Sequence, residues 1–118
     1  MMLDWNRYRT QIAEIVSAIG KTSPDIVRGY VQLSHAAEKS ARLDGKTREL
    51  IALAVAVTRQ CDGCIAVHTD AAVKHGATRE EIIEALGVAI AVNAGAALVY
   101  STRVLDAFSA GTADNPAA

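Results

Sequence analysis

Residues 49–68 read ELIALAVAVTRQCDGCIAVH: one carboxylate, eight apolar residues, a polar turn, then two thiols and an imidazole at Cys61, Cys64 and His68. From Leu50 to Val57 every residue is apolar. That leaves no solvent face over about two helical turns, and a helix apolar all round is usually enclosed by others. Val and Ile favour sheets, and an apolar run alone does not separate a buried strand from a helix; length and the abundant Ala decide for helix. A chain of 118 residues has few layers with which to enclose such a helix. The run therefore predicts a homo-oligomer whose subunit contacts supply part of the cover.

The flanking sequence is helical in both directions. Asp44 caps the central helix, expected over 46–59, and Asp62 or Cys61 caps the next, expected over 64–75 with Gly76 as its stop. Upstream, Asp4 starts a first helix carrying Trp5, Tyr8, Ile12, Ile15, Val16 and Ile19 at a mostly helical spacing, and Gly20 ends it. Ser23 and Pro24 start a second, to about Lys39, with Pro at the position where its missing N–H costs nothing. These two look like a supporting layer. Downstream, Thr78 and Glu81 have the spacing of a capping box. Ile82, Ile83, Leu86, Ala89, Ile90 and Asn93 continue that helix. Asn93 and Gly95 suggest an interruption before a final helical run through Leu98, Val99, Val104, Leu105 and Phe108. The expectation is an all-α bundle of about six helices in a single domain over 1–110, with a disordered tail over 111–118.

Composition removes several function classes. Lys plus Arg is 12 against 13 for Asp plus Glu, a net charge of -1, so there is no electrostatic footprint for nucleic acid or an anionic membrane. The start, MMLDWNRYRTQ, lacks the apolar core of a signal peptide, and no uninterrupted apolar run approaches the ~20 residues that span a bilayer. The expected setting is the cytoplasm. A lone pair of cysteines there is more often reactive or metal-binding than a structural staple.

Cys61 and Cys64 are one helical turn apart, close enough for a small-ring disulfide if the backbone permits. Their place at a helix start stabilises a thiolate. Cys64 is four residues before His68, so thiol and imidazole share a helical face. Glu49 lies on the face of Leu53 and Ala56, where a carboxylate is costly unless paired or protonated. On an antiparallel pairing of the two helices, Glu49 and His68 need a rotated packing or a water to communicate. Zinc is the chemical rival, with Cys61, Cys64 and His68 as three ligands and Glu49 or water as the fourth; the absence of a second cysteine pair weakens a structural site. His75, before Gly76, reads as a helix-end residue, and His35 as surface or interface.

Glu49, Cys61-Asp62-Gly63-Cys64 and His68 together resemble the core motif of the alkylhydroperoxidase D-like branch of the carboxymuconolactone decarboxylase family, over roughly residues 43–108. The resemblance implies an all-helical fold assembled as homotrimers or hexamers. It implies a thiol-dependent peroxidase or disulfide oxidoreductase in which Cys64 is peroxidatic, Cys61 resolving, and Glu49 and His68 the proton relay. It also implies a small hydroperoxide or disulfide substrate, no tightly bound cofactor or metal, and regeneration by an external dithiol, a lipoyl group or a thioredoxin-like partner. One position departs from that branch, which has a histidine directly before the second cysteine where this chain has Gly63. The alternatives are a lyase of the decarboxylase kind using Glu49 and His68, and a non-enzymatic redox sensor.

Overall fold

The computed structural model describes residues 1–113, which form five α-helices: α1 (Trp5–Thr22), α2 (Pro24–Ser40), α3 (Gly45–Thr58), α4 (Asp62–Lys74) and α5 (Arg79–Thr112). Each start has a sequence cause. The Asp4 carboxylate accepts from the Arg7 N–H, the Asp44 carboxylate from the Thr47 N–H, and Thr78 with Glu81 completes a reciprocal capping box, satisfying donors that have no partner inside the helix. Hydrogen bonds from Thr47 hold the Asp44 carboxyl below its ordinary value.

Helices α3 and α4 are antiparallel, joined by a turn in which Gln60 adopts a left-handed φ of 52°. The Cys61 N–H donates to the Ala56 carbonyl at 3.1 Å, so the chain reverses within three residues. Helix α5 runs parallel to α3. A constant offset of 35 residues ties them, through Lys46 Nζ to Glu81 Oε2 at 2.8 Å at one end and Asn93 Nδ2 to Thr58 Oγ1 at 2.8 Å at the other. The core of this unit is built from small residues around one leucine: Leu53, Ala56, Ala66, Ala72 and Ala89 are buried. Alanines let helix axes approach closely, which suits a chain with few aromatics.

Two sequence expectations change. The described residues form five helices rather than about six, because α5 passes through Asn93 and Gly95 without a break. Besides reaching Thr58, Asn93 donates to the Ala89 carbonyl four residues back at 2.7 Å, so its amide is spent within the helix and against α3 instead of on a turn. The expected tail over 111–118 begins too early, since α5 continues to Thr112; residues 114–118 lie outside the described ones. A continuous α5 is also long and apolar enough, by length and composition alone, to cross a bilayer.

The remaining surface is unusually open. The N-terminal half of α1 lies antiparallel on α4, while Ile15, Val16 and Ile19 of α1 and Ile26, Tyr30, Val31 and Leu33 of α2 are exposed. Beyond Asn93 the nineteen residues to Thr112 extend α5 by about 28 Å, exposing Leu98, Val99, Val104, Leu105 and Phe108. The chain presents 9308 Å² where a compact monomer of its mass would present about 6,100 Å². Its radius of gyration is 20.5 Å against about 13.5 Å for a compact domain of this length.

Candidate redox site

The turn after α3 delivers the cysteines. Cys61 is the N-cap of α4 and its Sγ accepts from the Cys64 N–H at 3.2 Å. The two residues form a disulfide with Cα atoms 5.3 Å apart, within the ordinary range for such a bond. Both cysteines are partly buried. On reduction the sulfurs would face the positive end of α4 and its unpaired N–H groups, the environment that favours a thiolate.

One turn after Cys64, His68 Nδ1 meets Glu49 Oε2 at 2.7 Å, with the Glu49 side chain 19% and the His68 side chain 34% exposed. The sequence left this pair to a rotated packing or a bridging water; the structure joins it directly. The cause is the tight α3–α4 reversal, which sets the first turns of α3 beside the middle of α4. A carboxylate accepting at Nδ1 places the neutral imidazole's proton there and its lone pair on Nε2. Nε2 has no hydrogen-bond partner among the described residues and is free to take or return a proton.

The other histidines stand apart from this cluster. His75 is the C-cap of α4, and its ring covers Gly45, leaving no room for a Cβ there. His35 is exposed on α2 and, among the described residues, pairs only with Glu38, at 3.4 Å. On the opposite side of α4 from Cys64 and His68, an apolar cleft of about 490 Å³ opens against α1, between Trp5 and Val73. Arg9 approaches Asp70 at 3.6 Å and Lys74 reaches it at 2.8 Å. The Lys74 hydrogen bond, with Arg9's charge behind it, holds the Asp70 carboxyl below its ordinary value. This cleft shares no residue with the cysteine cluster.

Sequence reasoning passed over one contact at Gly63, between the two cysteines in sequence. Ile12 of α1 lies so close to Gly63 that a Cβ there would be 2.7 Å from Ile12 Cδ1. The only available signal was Ile12's place on the periodic apolar face of α1, which marks it as buried without saying against what.

Five helices, with a disulfide at the start of the fourth and a half-buried Glu–His contact one turn on, define a small all-α protein with a CxxC motif. The carboxymuconolactone decarboxylase family model matches residues 24–107, and the chain belongs to that family. The crystal structure of apo-lpg0406, a carboxymuconolactone decarboxylase family protein from Legionella pneumophila, superposes with a TM-score of 0.71 at 40% identity, covering 89% of this chain and 94% of that one. An uncharacterized protein of Haemophilus influenzae is 46% identical over 109 residues, 92% of this chain and 96% of that protein. An uncharacterized protein of Cupriavidus necator is 33% identical over 110 residues, 93% and 97% of the two chains.

Proposed function

We propose that the chain is a thiol-dependent peroxidase that reduces hydroperoxides through a Cys61–Cys64 dithiol/disulfide cycle. The observation that carries this reading is a disulfide at the first turn of α4, one turn ahead of a directly bonded His68–Glu49 pair. In the reduced protein the Cys64 thiolate attacks the distal oxygen of ROOH. The O–O bond breaks, ROH leaves with a proton passed through His68 Nε2, and Cys64 becomes a sulfenic acid. Cys61 then attacks the Cys64 sulfur, forming the S–S bond and releasing water. Two electrons have passed from the thiols to the peroxide. An external dithiol, a lipoyl group or thioredoxin-like protein, returns them and is itself oxidised to a disulfide. Glu49 fixes the imidazole tautomer.

The proposed assembly is a homo-oligomer, trimer or hexamer, in a cytoplasmic setting. Its support is the apolar surface on α2 and the outer half of α5. The roughly 3,000 Å² exposed beyond a compact monomer is of the size that permanent subunit interfaces bury.

The test is intact mass after rapid mixing of the fully reduced protein with one equivalent of cumene hydroperoxide. The expected product is two mass units lighter. Cys64→Ser should abolish peroxide consumption, whereas Cys61→Ser should undergo one oxidation and stop at the sulfenic acid. Undiminished turnover by Cys64→Ser would remove the assignment. The Glu49–His68 contact contains no sulfur and so also favours a lyase reading; its mark would be activity that survives loss of both thiols.

A further inference from the structure

Between Ala85 and Val99, Asn93 is the only polar side chain, and it takes no part in the cycle proposed above. Its amide nitrogen donates to Thr58 Oγ1 at 2.8 Å and to the Ala89 carbonyl at 2.7 Å, while the Thr58 hydroxyl donates to the Ala54 carbonyl at 2.9 Å. The directions are forced. Both carbonyls only accept, so Thr58 spends its one O–H on Ala54 and accepts from residue 93, whose NH2 group serves both oxygens at once. An aspartate of the same shape has no such donors. Thr58 is the last residue of α3, and the three residues after it carry the chain into the cysteines. The Arg59, Gln60 and Cys61 N–H groups fold back onto α3, donating to the carbonyls of Val55, Val57 and Ala56 at 2.9, 3.2 and 3.1 Å. The last two bonds form the crossed closure that commonly ends on glycine. Here Gln60 takes the left-handed φ of 52°, which costs a residue with a Cβ about 1–3 kcal/mol. Such a turn gains from having its helix end fastened, and Asn93 fastens it from α5.

We propose that Asn93 is a positioning residue for the Cys61–Cys64 couple: through Thr58 it holds the end of α3, and with it Cys61, in the place from which its sulfur closes on Cys64. The inference rests on the thiol reading above. In the oxidised protein the S–S bond itself fixes Cys61; in the reduced protein that task falls to the turn. Loosening the turn therefore frees the dithiol form more than the disulfide, and ring closure has more disorder to overcome. The exchange equilibrium shifts toward the dithiol. The bond concerned is a neutral, exposed one, for which a shift of about three- to fivefold is the expected size.

The experiment equilibrates the protein with glutathione buffers, quenches with acid and counts alkylated thiols by intact mass. Two electrons and two protons pass from the protein dithiol to glutathione disulfide, giving the Cys61–Cys64 bond and two glutathione thiols. Asn93→Ala and Thr58→Val should each move this equilibrium toward the dithiol by about three- to fivefold, ~15–20 mV. The double variant should move it no further than either single one, and Thr58→Ser, which keeps the hydroxyl, should stay at the wild-type value. Alanine favours a helix more than asparagine, so α5 itself is not weakened; should Asn93→Ala fail to fold, Thr58→Val against Thr58→Ser carries the test. Single variants at the wild-type value, or a double variant equal to the sum of the two, would overturn the proposal. Exchange with glutathione needs no peroxidase activity. A wild type inert to cumene hydroperoxide, with the equilibrium still shifted in the variants, removes the peroxidase reading and keeps the role of Asn93. A wild type that consumes the peroxide, with the equilibrium unmoved in the variants, does the reverse.

Discussion

The two ends of the bundle are made differently. Where α3 begins, α4 ends and α5 begins, His75 covers Gly45 and Lys46 bonds Glu81; the contacts include an ion pair and are made within one chain. At the other end α5 continues past Asn93 with large apolar side chains and no covering helix, and α2 is similarly bare. The cysteine turn lies at this second end, which is why α1 can reach it. The contrast teaches that burial in this chain is not shared evenly. Its own contacts complete one end, and its sequence supplies apolar surface for covering the other.

The strongest way to break that comparison is to remove a side chain from the completed part. Leu53 is 4% exposed, and Leu53→Ala should cost about 2–5 kcal/mol in urea unfolding; a cost below about 1 kcal/mol would mean that the core is not where the structure puts it. At the open end the double substitution Leu98→Glu and Leu105→Glu, one helical face at 74% and 69% exposure, should keep helical ellipticity. If the chain assembles as proposed above, the substitution should reduce the mass in light scattering toward the 12.4 kDa of one chain. An unchanged oligomer mass would place the interface elsewhere. Gly76 holds a φ of 83°, and Gly76→Ala should cost about 1–2 kcal/mol through that angle alone. No loss would show that the α4–α5 turn adapts.

The smallest effect concerns pH. Hydrogen bonding to Lys46, then to the Thr78 backbone, holds the Glu81 carboxyl below its ordinary value of 4.5. Its contribution is therefore present above that value and lost as pH falls through the lowered one. The Lys46 ammonium is raised above 10.5 by the same partner, so its contribution is present below 10.5 and lost as pH rises through the raised value. Both groups are solvent-accessible, so the effect is modest. Glu81→Gln should flatten stability across both windows, and an unchanged acid slope would show that another carboxylate dominates.

Caps were legible because they are local. Thr78 and Glu81 are three residues apart, Asp44 directly precedes its helix, and each bond is dictated by chain geometry. The thiol pair and its place at the start of α4 were legible for the same reason. Asn93 misled because an amide reads as a helix breaker when its partner, Thr58, is 35 residues away and unseen. Glu49 and His68 could be named, but not joined, since their meeting depends on how tightly α3 turns into α4. Ile12 against Gly63 depends on the docking of a whole helix, for which no local signal exists.

Glu81 has a consequence beyond its energy. One oxygen accepts from the Thr78 N–H at 2.9 Å while the other holds Lys46, so a single carboxylate fastens the first turn of α5 to the first turn of α3. If the sulfurs are joined and parted as in the cycle proposed above, such a clamp would act as a fulcrum. In that cycle rearrangement would fall at the cysteine end, with the opposite end as the fixed frame.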